Sequence, residues 1–180
     1  MNNSLKSQKT SSAYNEKFYN DISNSSYYSA KIFLDYLWKY IQPVSVLDVG
    51  CGKGAWLKAC HEYGSKDLIG FDGSWVDQAE MLDKKIQFKA VDLNNKFSLN
   101  KKVDLTISLE VAEHLKNESS NQFIECLTNT SEIILFSAAY TGQGGTDHIN
   151  ENKHSYWANI FDKYDYKPFD LFRPKFWGDA

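Results

Sequence analysis

The chain has 180 residues, 42% of them hydrophobic and 24% charged, which suffices for one domain with a buried core and excludes two enzymatic domains in series. The net charge of −3, with Arg173 as the single arginine, disfavours nucleic acid as a partner and favours a small molecule. No apolar run reaches the ~18–20 residues that a membrane span needs. Because the first residues also lack the apolar stretch of a secretory signal, and the three cysteines form no metal-type pair, we expect a cytoplasmic protein with reduced thiols and no membrane partner.

The N-terminal residues have a different composition from the rest. Ten of the first twelve are Asn, Ser, Lys, Gln or Thr, residue types that bury little apolar surface. We therefore predict a flexible polar lead at residues 1–24 and one domain over residues 25–180.

Helices and strands alternate along that domain. A helix is predicted from Ser26 to Pro43, with an apolar face of Ile32, Phe33, Tyr36, Leu37, Tyr40 and Ile41. Strands are predicted at Val44–Val49, Asp67–Phe71, Ile86–Val91, Val103–Leu109, Ile133–Ser137 and Tyr166–Phe172. Further helices are predicted at Ala55–Glu62, Trp75–Leu82, Ser119–Leu127 (starting with a capping box, Ser119-x-x-Gln122) and around Tyr156–Tyr164. This alternation predicts an α/β fold, a Rossmann-like, doubly wound and mostly parallel sheet with helices on both faces.

A glycine-rich turn, Gly50–Gly54, follows the first predicted strand. Asp72 ends the second strand at the offset where an acid accepts the hydroxyls of a ribose. The pattern Gly50-x-Gly52-x-x-Ala55 also fits the dinucleotide fingerprint, so NAD is an alternative cofactor. Asp48 would bring a negative charge near a pyrophosphate, and it suits a sulfonium-bearing amino acid better.

Four segments in order resemble the motifs of class I S-adenosylmethionine-dependent methyltransferases: Val46–Gly54, Ile69–Asp72, Val91–Leu93 and Val103–Leu115. The later run Phe136–Asn150, followed by Ser155–Trp157, is similar to a bacterial subgroup of methyltransferase domains, many of which accompany capsule or surface-glycan biosynthesis. The family normally has seven strands, and six are predicted here, so either the chain is truncated or the sheet lacks the last strand.

The resemblance implies roles for individual residues. The methionine part of S-adenosylmethionine would be held by Asp48 and by the backbone of Gly50, Cys51, Gly52 and Gly54. The ribose would bind Asp72, with Gly73 and Ser74 beside it, and the adenine would meet Asp92, Leu93 and the ring of Trp75. For Asp92 the alternative is a carboxylate that caps its own loop.

The segment Glu110-x-x-Glu113-His114 follows the fourth strand. Spacings of three and four align these side chains if a helical turn begins there, and His148 lies on the loop after the neighbouring strand. Two carboxylates with two imidazoles predict a site for Mn²⁺, Mg²⁺, Fe²⁺ or Zn²⁺. A similar segment contributes metal ligands in ubiquinone-pathway O-methyltransferases and small-RNA 2′-O-methyltransferases. Without a metal, His148 or Glu110 would be the general base.

The sequence thus predicts an S-adenosylmethionine-dependent O-methyltransferase that acts on a small polar metabolite such as a capsule or surface-glycan precursor, either with the help of a divalent metal or with a general base alone. The alternatives are a small NAD-dependent oxidoreductase, an RNA 2′-O-methyltransferase and a non-catalytic relative that only binds the cofactor. The sequence predicts no particular oligomeric state.

Overall fold

A computed structural model describes residues 25–177. The predicted polar lead at residues 1–24 lies outside the described residues. The sheet consists of β1 (Ser45–Val49), β2 (Asp67–Asp72), β3 (Gln87–Ala90), β4 (Leu105–Leu109) and β5 (Ile134–Ser137). Its order is β3-β2-β1-β4-β5, and every pairing is parallel. The direction of winding reverses between β1 and β4, which opens a crevice at the carboxyl ends of these two strands.

Helices cover both faces of the sheet, as predicted. They are α1 (residues 25–37), α2 (Ala55–Glu62), α3 (Ser120–Thr128), α4 (His154–Asp162) and the short α5 (Arg173–Phe176). Successive strand residues point to opposite faces, so Val46 shares one core with α1 and α2. Its neighbour Leu47 shares the other core with α3 and α4. The α/β doubly wound class is therefore confirmed.

The apolar face of α1 differs from the predicted one. The buried residues are Ala30, Leu34 and Leu37, whereas Ile32 and Tyr40 are exposed. Two of the predicted core rings, Phe33 and Tyr36, pack instead against rings of the C-terminal segment, Phe172 and Phe176. The helix thus has two apolar stripes, and the sequence pattern merged them into one.

The predicted sixth strand, Tyr166–Phe172, is wrong, because these residues form no strand. Pro168 lacks the amide that a sheet ladder needs. The hydroxyl of Tyr166 donates to the carbonyl oxygens of Thr128 and Ser131 at the end of α3, so the segment follows the helix layer and not the edge of the sheet.

The predicted helix at Trp75–Leu82 is also wrong, since only a 3-10 turn forms, at Gln78–Glu80. The side chain of Gln78 bonds to the backbone on both sides of the β3 start, donating to Ile86 O at 2.9 Å and accepting from Phe88 N at 2.8 Å. These tertiary bonds hold the segment beside β3 and replace helical continuation.

The helix predicted at Ser119–Leu127 is confirmed as α3, but the predicted capping box does not form. The hydroxyl of Ser119 and the amide of Gln122 both donate to the carbonyl oxygen of Asn94, at 3.1 and 3.4 Å. These polar side chains therefore join α3 to the loop after β3.

Two further sequence expectations concern chemistry and membranes. Cys51, Cys60 and Cys126 are free and buried, in keeping with the predicted reduced thiols. Within residues 25–177, no helix combines the length and the apolar character that crossing a membrane requires.

Candidate active site

The glycine turn after β1 is closed by backbone hydrogen bonds, most of them to β2. Gly50 and Cys51 both donate to the carbonyl oxygen of Phe71, at 2.7 and 3.2 Å, and the Gly54 amide donates to Cys51 O at 2.8 Å. Burial raises the pKa of the Cys51 thiol above its ordinary range, so this cysteine is not a nucleophile. Most amides that were predicted to face the methionine part thus already bond to carbonyl oxygens of β2 or of the turn itself.

Asp72 joins the end of β2 to the same turn. Its side chain is 8% exposed, and its two oxygens accept from Gly52 N at 2.7 Å and from Gly73 N at 2.6 Å. A carboxylate oxygen has more than one lone pair, so each oxygen retains capacity for a hydroxyl. The structure therefore holds Asp72 in one orientation at the predicted ribose position.

Asp48 lies on β1 and is 3% exposed. Burial, together with the nearby negative charge of Asp72, raises its pKa from 3.8 to about 8. This carboxyl is therefore largely neutral at pH 7 in the ligand-free protein. A cation bound beside it would favour the ionised form.

Trp75 lies over the turn after β2. Its side chain is 80% exposed, yet its ring covers Gly73, where an added Cβ would be 2.1 Å from a ring carbon. Ser74 is exposed beside it. The bare backbone of Gly73 thus leaves room for an aromatic ring next to the predicted ribose position.

The residues predicted to meet the adenine have structural contacts. The carboxylate of Asp92 accepts from Asn94 N at 3.0 Å and from Asn95 Nδ2 at 2.7 Å, which is the loop-capping arrangement. Leu93 is 8% exposed and belongs to the core beside α3. An adenine contact for these two residues stays a prediction.

A single close contact connects the glycine turn to the segment after β4. Gly50 has φ of +88°, and a Cβ built on it would lie 2.2 Å from Cγ2 of Val111. Only glycine provides both this backbone conformation and the space. The Glu110–His114 segment therefore packs directly on the predicted cofactor turn.

Glu110 does not join the other predicted metal ligands. Its φ is +55°, and its carboxylate accepts from the Ser137 hydroxyl at 2.6 Å. The helical turn assumed from the spacing begins two residues later, as a 3-10 turn at Ala112–His114. The side-chain alignment expected for Glu110 is therefore wrong, and this acid is exposed at the end of β4.

The other three predicted ligands, Glu113, His114 and His148, converge. One ligand atom from each lies within 4.8 Å of the other two, and the centroids of the two imidazole rings are 4.9 Å apart. Glu113 is 0% exposed, and neither of its carboxylate oxygens has a hydrogen-bond partner among residues 25–177. Burial, helped by the charge of Glu110, raises the pKa of Glu113, although the backbone amides of Glu113 and Ala139 and the His114 imidazole favour the ionised form.

Both imidazoles of this cluster are oriented through Nδ1. His114 Nδ1 lies 3.2 Å from the carbonyl oxygen of Asp147, and His148 Nδ1 lies 3.2 Å from a carboxylate oxygen of Glu151. If Nδ1 carries the proton in each ring, Nε2 presents its lone pair as a ligand. Such outer contacts are typical of histidines that bind metals.

Three residues that sequence reasoning missed organise the site: Asn150, Glu151 and Ser137. Asn150 is buried, and its amide donates to Ala112 O at 3.1 Å and to Ser120 Oγ at 3.0 Å. The only signal for Asn150 and Glu151 was their place two and three residues after His148. Ser137 was visible only as the last residue of a predicted strand.

Comparison with known proteins gives a family and a fold. A family model described as a methyltransferase domain matches residues 23–138. No curated protein sequence is significantly similar to the chain.

Several solved structures share the fold. Magnesium protoporphyrin IX methyltransferase from Synechocystis PCC 6803, with bound SAH, has a TM-score of 0.63 at 19% identity, over 83% of this chain and 76% of that one. Human N-acetylserotonin methyltransferase, in complex with SAM, has a TM-score of 0.54 at 18% identity, over 72% of this chain and 44% of the human one. The small RNA methyltransferase HEN1 has a TM-score of 0.59 at 21% identity, over 74% of this chain and 21% of that one. This chain therefore spans less than half of the human enzyme.

Proposed function

The chain belongs to the methyltransferase-domain family, and on that premise we propose that it transfers the methyl group of S-adenosylmethionine to an oxygen of a small polar acceptor. The observation that carries the acceptor side is the convergence of Glu113, His114 and His148. This cluster belongs to the segment that packs on the glycine turn through Gly50 and Val111. A methyl donor and a metal-bound acceptor would therefore be neighbours.

On the donor side, we assign the ribose to Asp72 and the charged methionine end to the neighbourhood of Asp48. Asp72 is held by two amides, so it needs no rearrangement to accept two hydroxyls. Asp48 is buried beside it, and the positive charge of the cofactor would stabilise its ionised form. Because the amides of Gly50, Cys51 and Gly54 are used internally, the turn contributes a close-fitting surface in place of a row of free donors.

On the acceptor side, the residues fit a divalent cation. Glu113 is a fully buried carboxylate without a hydrogen-bond partner among the described residues, a costly arrangement unless a cation or a proton neutralises it. Nδ1 of each imidazole lies against an oxygen of the protein, that of the Asp147 carbonyl or of the Glu151 carboxylate. Mixed carboxylate and imidazole ligands suit Mn²⁺, Mg²⁺, Fe²⁺ or Zn²⁺. When bound, the cation would polarise an acceptor hydroxyl and lower its pKa.

The chain's own residues then have separate tasks. Methyl transfer is an in-line displacement: an acceptor oxygen forms a bond to the methyl carbon as the bond from carbon to the sulfonium breaks, so the protein must mainly hold the two reactants in line. With His148 as a ligand, the exposed carboxylate of Glu110 is the group that takes the acceptor's proton. Ser137 fixes one oxygen of Glu110 and leaves the other open. Without a metal, His148 is the base.

For the acceptor we propose a capsule or surface-glycan precursor, made in the cytoplasm. The support is the run Phe136–Asn150, which resembles that bacterial subgroup, and the hydroxyl chemistry that the cluster suits. RNA is the second candidate, since the Glu-x-x-Glu-His segment resembles that of small-RNA methyltransferases. The net charge of −3 argues against it, because RNA affinity depends strongly on basic residues.

Calorimetry with S-adenosylhomocysteine and with NADH tests the donor side. We expect binding of S-adenosylhomocysteine and no heat with NADH. Tight NADH binding without a response to S-adenosylhomocysteine would overturn the proposal in favour of an oxidoreductase.

A titration with Mn²⁺, in which electron paramagnetic resonance measures the bound ion, tests the acceptor side. We expect one bound ion in the wild type and in Glu132→Gln, which removes an exposed charge paired with Lys102, and loss of that ion in Glu113→Gln. Chelation should stop turnover and leave the cofactor bound. Full turnover of the chelated enzyme would restore the metal-free mechanism, with His148 as the base.

A further inference from the structure

The loop between β5 and α4 is held by one carboxylate. Glu151 accepts from Gly142 N at 2.8 Å through Oε2, and from Gly144 N at 2.7 Å through Oε1. The same Oε1 lies 3.2 Å from Nδ1 of His148. The Glu151 side chain is 17% exposed although the loop around it is exposed. One side chain thus links two backbone amides to one of the three cluster residues.

Away from its glycines, the loop is also fixed at Asp147, whose carbonyl oxygen contacts His114, and at the buried Asn150. Gly142 and Gly144 have φ of +86° and +72°, conformations that other residues rarely adopt. Within the loop, the amide of Gln143 donates to Tyr140 O at 2.8 Å. The glycines give the loop freedom, and Glu151 removes that freedom by binding both amides.

The ring of His148 is confined on two sides. A Cβ built on Gly145 would lie 2.4 Å from Cε1 of His148 and 2.5 Å from Nε2, so the imidazole covers bare backbone. Glu151 then lies against Nδ1 at the edge of the ring. A carboxylate at Nδ1 favours the tautomer with the proton on that nitrogen and leaves the Nε2 lone pair for a ligand.

We propose that Glu151 is a positioning residue for the acceptor site: it fixes the tautomer and the orientation of His148, and through His148 it sets the affinity for the divalent ion. The inference rests on the proposed function, because it takes His148 as a metal ligand. It differs from a direct fourth ligand, which would act without His148, and from a plain anchor of the loop, which would also act on His114 through the carbonyl oxygen of Asp147.

A double-mutant cycle separates these roles. Mn²⁺ affinity is measured by electron paramagnetic resonance for the wild type, Glu151→Gln, His148→Ala, the double variant and the charge control Glu132→Gln. We expect Glu151→Gln to weaken Mn²⁺ binding about 10- to 100-fold and to have no further effect in the His148→Ala background. The control should bind like the wild type.

A second measurement needs no metal. Nitrogen-15 NMR of the metal-free wild type should show His148 protonated at Nδ1 and not at Nε2, and Glu151→Gln should lose that preference. If Glu151→Gln fails to fold, the wild-type tautomer and the variant Glu151→Asp, which keeps the charge on a shorter side chain, decide the question. Glu151→Asp should weaken Mn²⁺ binding less than His148→Ala does.

Three outcomes count against the inference, and they are distinguishable. If His148→Ala weakens Mn²⁺ binding and Glu151→Gln does not, Glu151 has no positioning role and the proposed function stands. An equal loss from Glu151→Gln with and without His148 would show a loop anchor or a direct ligand. If the wild type and His148→Ala bind Mn²⁺ alike, the proposed metal site itself fails.

Discussion

Asp72 and Glu113 are both buried acids near the carboxyl edge of the sheet, and their surroundings differ. Both oxygens of Asp72 accept backbone amides, whereas neither oxygen of Glu113 has a partner among residues 25–177. The carboxylate of Asp72 is therefore stabilised by the protein itself, whereas the carboxyl of Glu113 depends on a proton or a cation to neutralise it. Sites that hold unpaired buried charge sacrifice stability for ligand binding. The two sides should thus respond oppositely to substitution.

The largest loss of stability is expected where the glycine turn contacts the segment after β4. Gly50→Ala would place a Cβ 2.2 Å from Val111 at a φ of +88°, so left-handed strain and overpacking should together lower the free energy of unfolding by about 2–5 kcal/mol. The matched control is Gly52→Ala, where φ is +50° and nothing lies within 4 Å of the added atom. It should cost about 1–2 kcal/mol. Urea denaturation measures both, and equal losses would refute the contact.

On the donor side, Asp72→Ala removes a held, charged acceptor from the ribose. We expect the affinity for S-adenosylhomocysteine to fall by about 30- to 150-fold, from a loss of about 2–3 kcal/mol. Calorimetry measures this, with Asp35→Ala, exposed on α1, as the control. Unchanged affinity in a folded Asp72→Ala would mean that the ribose binds elsewhere.

Asp48 should make stability depend on pH. Its pKa in the folded protein, about 8, lies above the ordinary 3.8, so the folded state keeps a proton that the unfolded chain loses. The stabilisation from this proton is complete below pH ~4 and is lost as the pH rises to ~8, at up to about 1.4 kcal/mol per unit. Asp48→Asn should flatten that slope in urea titrations between pH 5 and 8. An identical slope in the variant would show that Asp48 ionises normally.

On the acceptor side, we expect a substitution that increases the stability of the protein. Glu113→Gln removes a buried ionisable carboxyl whose oxygens have no hydrogen-bond partner among residues 25–177, so the metal-free protein should gain about 1–2 kcal/mol of stability. Asp72→Asn keeps one acceptor oxygen and replaces the other by an amide group that cannot accept from its backbone N–H, so this variant should lose stability. Thermal unfolding in the presence of a chelator compares the two variants. Loss of stability in both would mean that Glu113 has an internal partner.

The difference between the two sides also explains which features of the structure could be predicted from the sequence. The strand and turn from Val46 to Gly54 are local: apolar residues and glycines at fixed spacing specify a buried strand and a tight turn. The meeting of His114 with His148 followed from topology, because parallel neighbours β4 and β5 end at one edge. Chain order alone was sufficient for that prediction.

Polar contacts between distant segments could not be predicted. Glu110 is exposed because its own backbone is left-handed and its carboxylate bonds to Ser137. The spacing argument assumed a regular helix at this residue. The positions of Asn150 and Glu151 depend on backbone groups of Ala112 and Gly142, which have no side-chain signal. Sequence patterns record apolar periodicity well and tertiary hydrogen bonds poorly.

The way in which the loop between β5 and α4 is attached has a consequence for the hydrogen exchange of its backbone amides. Among residues 25–177, the amides of Gly142 and Gly144 bond to the exposed-loop carboxylate Glu151, whereas those of Ile149 and Asn150 bond to the carbonyl oxygen of Glu113 beside the buried Asn150 side chain. Exposed loop segments open locally well before a buried sheet does. The amides of Gly142 and Gly144 should therefore exchange together, and faster than those of Ile149 and Asn150, in an opening that leaves β1 and β4 closed.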